Sequence, residues 1–163
     1  MKEQFDRFAL RLISVLLTGL LMMTLRGRGV LAVFTPQYAS PWELGKLVYW
    51  PMLAVFSLTA RWSGGWRQTL RAAAPAIVLA PLALSGCCWA VQPLRPAAAV
   101  LILLWVVAAA IGTALADQGR AHSARWLPFL LAEGLLIAAF TFCPPVIGPF
   151  LDPKEAVADK IPW

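Results

Sequence analysis

Five apolar stretches, each about 20 residues long, run through this chain with short links between them. They cover about 5–25, 41–60, 70–91, 96–116 and 125–143. At about 1.5 Å per residue, a helix of that length covers a hydrocarbon core of about 30 Å. Inside lipid every backbone N–H and C=O must be bonded within the chain, so such segments have to be helices. The predicted fold class is therefore all-α: an integral membrane helical bundle with about five transmembrane helices. Its single domain takes in residues 1–163.

Composition agrees. Of the 163 residues, 60% are hydrophobic and 13% charged, against about 45–50% and about 25% in soluble domains. Eight Trp suit a chain with two membrane interfaces. The net charge of +6 comes without a basic run or an aromatic-interleaved patch, so nucleic acid is not an expected partner. The arginines lie between the apolar runs, where inner-face placement and anionic headgroups account for them.

The first stretch reads as a retained span rather than a cleaved signal. Arg11 interrupts it, Glu3 and Asp6 precede it, and RGRG follows where a small-residue cleavage site would stand. With the N-terminus inside, eight basic residues fall on the inner side: Lys2, Arg7, Arg11, Arg61, Arg67, Arg71, Arg120 and Arg125. Six fall outside: Arg26, Arg28, Lys46, Arg95, Lys154 and Lys160. The bias favours a cytoplasmic N-terminus. The longest link, 26–40, contains VLAVF, which is apolar but too short to cross. It is expected to dip into the interface or pack on the bundle as a short helix. From Pro144 onward the chain is Pro-rich and reads as extended.

Small residues recur at helical spacing in two spans. Ala108, Gly112 and Ala116 form one stripe; Ala72, Ala76 and Ala80 form another. Such stripes let helix backbones approach closely. They serve either the bundle itself or a seam to a membrane protein partner or a homo-oligomer. Pro75 and Pro81 predict a kink in the third span.

Ionisable groups at membrane depth are costly and therefore informative. Arg11 lies about 9 Å and Glu133 about 12 Å into their spans. Both spans start from the same side, so an Arg11–Glu133 pair is expected; snorkelling is the alternative for Arg11. Glu133 is the residue to suspect in solute or ion transport. At the start of the second span, Ser40 is the expected N-cap, Pro41 the first helical residue and Glu43 the third, as in a capping box. Lys46 follows one turn on, within reach of Glu43. Capping does not require it.

His122, in a loop, is the single histidine, and there is no CxxC, so no metal site is expected. There is no cofactor-binding motif either, and no catalytic residue is assigned. Cys87, Cys88 and Cys143 lie near the outer ends of their spans. They read as small buried apolar residues, with a bridge from Cys143 to Cys87 or Cys88 as the alternative.

Two motifs carry a resemblance. SPWELGKLVYWP matches Ser-x-Trp-Glu-x-x-Lys-x-x-x-x-Pro through Ser40, Trp42, Glu43, Lys46 and Pro51. TFCPPVIGPFLDP matches Thr-Phe-x-Pro-Pro…Phe-x-Asp-Pro through Thr141, Phe142, Pro144, Pro145, Phe150, Asp152 and Pro153. The chain thus resembles a family of small multi-pass bacterial membrane proteins with no assigned activity. Tyr38 and Ala39 stand in place of an Asn-Glu pair, and Val146 in place of a histidine. The resemblance implies a shared fold and a bacterial plasma membrane location, and supplies no reaction. It also suggests that the tail folds over the start of the second helix, joining Glu43, Lys46 and Asp152 in a polar cap, with Arg26 or Arg28 nearby.

Three functions remain. The first is a non-enzymatic accessory or scaffold protein, which the scarcity of buried polar groups favours. The second is a transporter or channel component using Glu133. The third is a membrane enzyme acting on a lipid-linked substrate through Glu43, Lys46 and Asp152.

Overall fold

The computed structural model describes residues 2–25, 29–36, 40–60, 65–118, 125–143 and 145. Among them are five α-helices and no strand. They are α1 (Lys2–Thr24), α2 (Pro41–Thr59), α3 (Trp66–Val91), α4 (Ala98–Gln118) and α5 (Leu127–Phe142). A 3-10 helix at Gly29–Val33 precedes α2, and a second at Gln92–Leu94 follows α3. The first is the VLAVF link, and it packs inward through Ala32 and Val33. The tail beyond Pro145, expected to be extended, and His122, Arg26, Arg28 and Asp152 lie outside the described residues.

Three helical stretches are long and apolar enough to cross a membrane: Glu3–Thr24, Trp66–Leu94 and Ala98–Gln118. The other two expected spans each fall short on one count. α5 is apolar but has 16 residues, about 24 Å of helix. α2 has 19 residues but carries Glu43, Lys46, Tyr49 and Trp50. It sits at the centre, packed on α1, α3 and α4. Eleven of its 19 residues are buried, so its polar groups meet protein. Pro75 and Pro81 both lie within α3, which is continuous through them.

The outward faces are apolar. α1 exposes Leu10, Ile13, Leu17, Leu20 and Leu21; α4 exposes Leu103, Val107, Ile111 and Leu115; α5 exposes Leu131 and Leu135. Apolar surface of this extent needs lipid or protein against it. The inner faces are lined by small residues where helices touch. A Cβ on Gly112 would lie 2.8 Å from the Ala80 Cβ and 3.0 Å from the Met52 sulfur. The two small-residue stripes therefore meet each other: Gly112 and Ala116 face inward on α4, and Ala76 and Ala80 on α3. Of the two uses open to the stripe Ala108, Gly112 and Ala116, packing within the bundle is the one seen for Gly112 and Ala116, which are buried in it.

Pro51, inside α2, has no N–H to donate to the Leu47 carbonyl one turn earlier. The indole N–H of Trp105 on α4 donates to that carbonyl at 3.1 Å. Gly19 of α1 makes room: a Cβ there would lie 2.7 Å from the Trp105 ring and 3.0 Å from the Leu47 oxygen. One proline thus fixes the registers of α1 and α4 against α2.

Candidate functional site

The start of α2 forms as its sequence predicts. Ser40 is the N-cap, its hydroxyl accepts from the Glu43 N–H at 3.3 Å, and Pro41 opens the helix. The Glu43 carboxylate turns to Lys46, with Nζ to Oε1 at 2.6 Å. Lys46 also donates to the Ala32 carbonyl at 3.2 Å and to the Thr141 hydroxyl at 2.7 Å. An ammonium has three N–H groups, and here it meets three acceptors from three elements. Thr141 in turn donates to the Ile137 carbonyl at 2.7 Å. The pair is sealed: the Lys46 and Glu43 side chains are 0% and 5% exposed. Burying an ion pair is tolerated only when geometry and further hydrogen bonds are good, and both conditions are met.

Around this knot, aromatic side chains tie the same elements. The Trp50 indole donates to the Val33 carbonyl at 2.8 Å, and its ring lies 4.8 Å from that of Phe34. Trp42 meets Phe140 edge-on at 5.6 Å. The two sequence motifs therefore touch, through Lys46–Thr141, and Trp42 of the first meets Phe140, the residue just before the second. Asp152, the third member of the expected polar cap, is outside the described residues.

The expected Arg11–Glu133 pair is corrected. Arg11 hydrogen-bonds and ion-pairs with Asp117 of α4, and its guanidinium lies over the Phe56 ring, 5.0 Å from the centroid. The reason is the packing order. α1 packs on α2 and α4, whereas α5 packs on α3 and the first 3-10 helix. Equal depth along two helices does not make them neighbours. Asp117 had a signal in the sequence, as an acid at the very end of the fourth apolar stretch.

Glu133 is buried, 6% exposed, and its Oε2 has no hydrogen-bond partner among the described residues. The same is true of the Thr113 hydroxyl. Tyr49 sits on the turn that carries Glu133: its hydroxyl donates to the Leu130 carbonyl at 2.7 Å. A Cβ on Gly134 would lie 2.8 Å from that hydroxyl oxygen, so glycine lets the phenol reach α5. Cys87 and Cys143 are exposed, Cys88 is buried, and all three are free thiols, without the bridge considered from sequence. Among the described residues no three His, Cys, Asp or Glu side chains gather as metal ligands would.

No family model matches the chain, and neither does any curated protein or solved structure.

Proposed function

We propose that this chain is a multi-pass integral protein of a bacterial plasma membrane, serving as a non-enzymatic accessory or scaffold protein, with its N-terminus cytoplasmic. The observation that carries the reading is the inverted distribution of polarity. The charged pair Glu43–Lys46 is closed off and saturated, while leucine-rich faces of α1, α4 and α5 point outward. Contact between the two motifs, through Lys46–Thr141, supports membership of the bacterial family they resemble.

The enzyme reading has less support, because a lysine with all three donors engaged offers none to a substrate. A double substitution tests this. Glu43→Gln with Lys46→Met removes both charges and keeps similar volume. If the variant inserts and restores the phenotype and lipid profile of a deletion strain, the pair is architectural. A well-inserted variant that fails to restore them would overturn the accessory reading. Reporter fusions in the 61–68 loop and at the C-terminus check the orientation, with a cytoplasmic loop and an external C-terminus expected.

One observation favours a second reading. Glu133 is a buried carboxyl with an oxygen left unpartnered among the described residues, the kind of intramembrane group that transport uses. Liposome flux abolished by Glu133→Gln would support transport; flux absent from the wild type would count against it.

A further inference from the structure

An open groove of about 590 Å³ lies between the start of α1 and the end of α4. Its size falls within the usual range for small-molecule sites, about 300–1,000 Å³. From α1 it is lined by Gln4, Arg7, Phe8 and Arg11, which share one helix face at i, i+3, i+4 and i+7. From α4 it is lined by Ala114 and Asp117, again at i and i+3. We propose that this groove binds the headgroup of one anionic phospholipid, with Arg7 holding the phosphate. The inference rests on the membrane reading above and adds a ligand to it.

Depth is the first argument. α1 and α4 both belong to stretches long and apolar enough to cross a membrane. The groove occupies their terminal turns, where headgroups lie. The second argument is charge. Arg11 and Asp117 neutralise each other and are fixed in place, with Arg11 over Phe56. Arg7 therefore sets the sign of the groove. Its ion pair with Glu3 is long, 3.7 Å, and the Arg7 side chain is 71% exposed. Such a surface pair is weak. A phosphate takes an arginine bidentately with stronger, charge-assisted bonds, and displaces Glu3. The third argument is the mixed lining. Gln4 supplies amide N–H donors beside the phosphate, and Phe5 and Phe8 supply apolar surface for the upper acyl chain. A free phosphate ester would use the polar half alone; a phospholipid uses both. Basic pockets between helices on the cytoplasmic side are established binders of anionic headgroups.

The test uses the full chain in nanodiscs of mixed phosphatidylglycerol and phosphatidylcholine. Lipids retained after transfer to detergent are counted by native mass spectrometry. The expected result is one phosphatidylglycerol retained in preference to phosphatidylcholine. Arg7→Gln lowers that retention about five-fold, the effect of one interfacial arginine. Ala114→Trp, which fills the groove from α4, lowers it as well. Arg67→Gln, an exposed arginine on α3 outside the groove, leaves it unchanged. Equal retention of the two lipids, or an equal loss with Arg67→Gln, overturns the proposal. So does displacement by millimolar glycerol 3-phosphate, which would assign the groove to a soluble phosphate ester. Alkaline carbonate extraction separates the two levels. Release of the chain sinks the membrane reading itself, whereas a chain that stays in the membrane without lipid preference sinks only the groove.

Discussion

At one end of the bundle Lys46 and Glu43 meet with side chains 0% and 5% exposed; at the other, Arg11 and Asp117 meet with 14% and 20% exposed. The first pair joins residues three apart on one helix and gathers partners from two further elements. The second joins α1 to α4 and borders an open groove. The same chemistry thus does two jobs. A closed ion pair organises the protein around itself. An open one leaves its surroundings accessible to a ligand.

The comparison can be broken most directly at Lys46. Lys46→Ala leaves Glu43 buried without its cation, and loss of one partner of a buried pair costs about 3–5 kcal/mol. Thermal unfolding in detergent should show it as the largest loss among these variants, and Glu43→Gln with Lys46→Met should recover most of it. A Lys46→Ala protein as stable as the wild type would mean the pair holds nothing together. Next in size is Trp105→Phe, which keeps an aromatic side chain, though a smaller one, and removes the donor to the Leu47 carbonyl. A buried acceptor left unsatisfied costs about 1–3 kcal/mol, again read from unfolding in detergent. At the open end, Asp117→Asn should cost about 1 kcal/mol or less, as partly exposed pairs do. A loss as large as that of Lys46→Ala would erase the distinction between the two ends. The smallest effect is expected from Glu133→Gln. The substitution keeps the shape, and one of its oxygens has no partner among the described residues to lose, so the unfolding temperature should stay within about 2 °C.

The helices were largely legible from the chain because length and apolarity are local properties. The five stretches read at about 5–25, 41–60, 70–91, 96–116 and 125–143 became helices with ends a few residues away. The cap at Ser40 was legible for the same reason, since Ser-Pro-x-Glu acts within one turn. Which helix faces which was not. Arg11 and Asp117 are 106 positions apart, and only the packing of α1 on α4 brings them together. Thr141 belongs to the second motif, but nothing local tells that it faces Lys46. Trp105 lay between these cases. Pro51 announces a carbonyl in need of a donor at Leu47, yet only the fold says which of eight Trp supplies it.

The Lys46–Thr141 bond has a consequence for how the protein is made. Glu43 leaves the ribosome beside Lys46 and can neutralise it at once, but Thr141 is 95 positions further on. At about 5–20 residues per second, the wait is roughly 5 to 20 s. Through that interval the second helix exists without the acceptor that completes its lysine. Final seating of α2 therefore follows synthesis of α5, so a chain stopped before the last helix leaves a charged helix only partly housed.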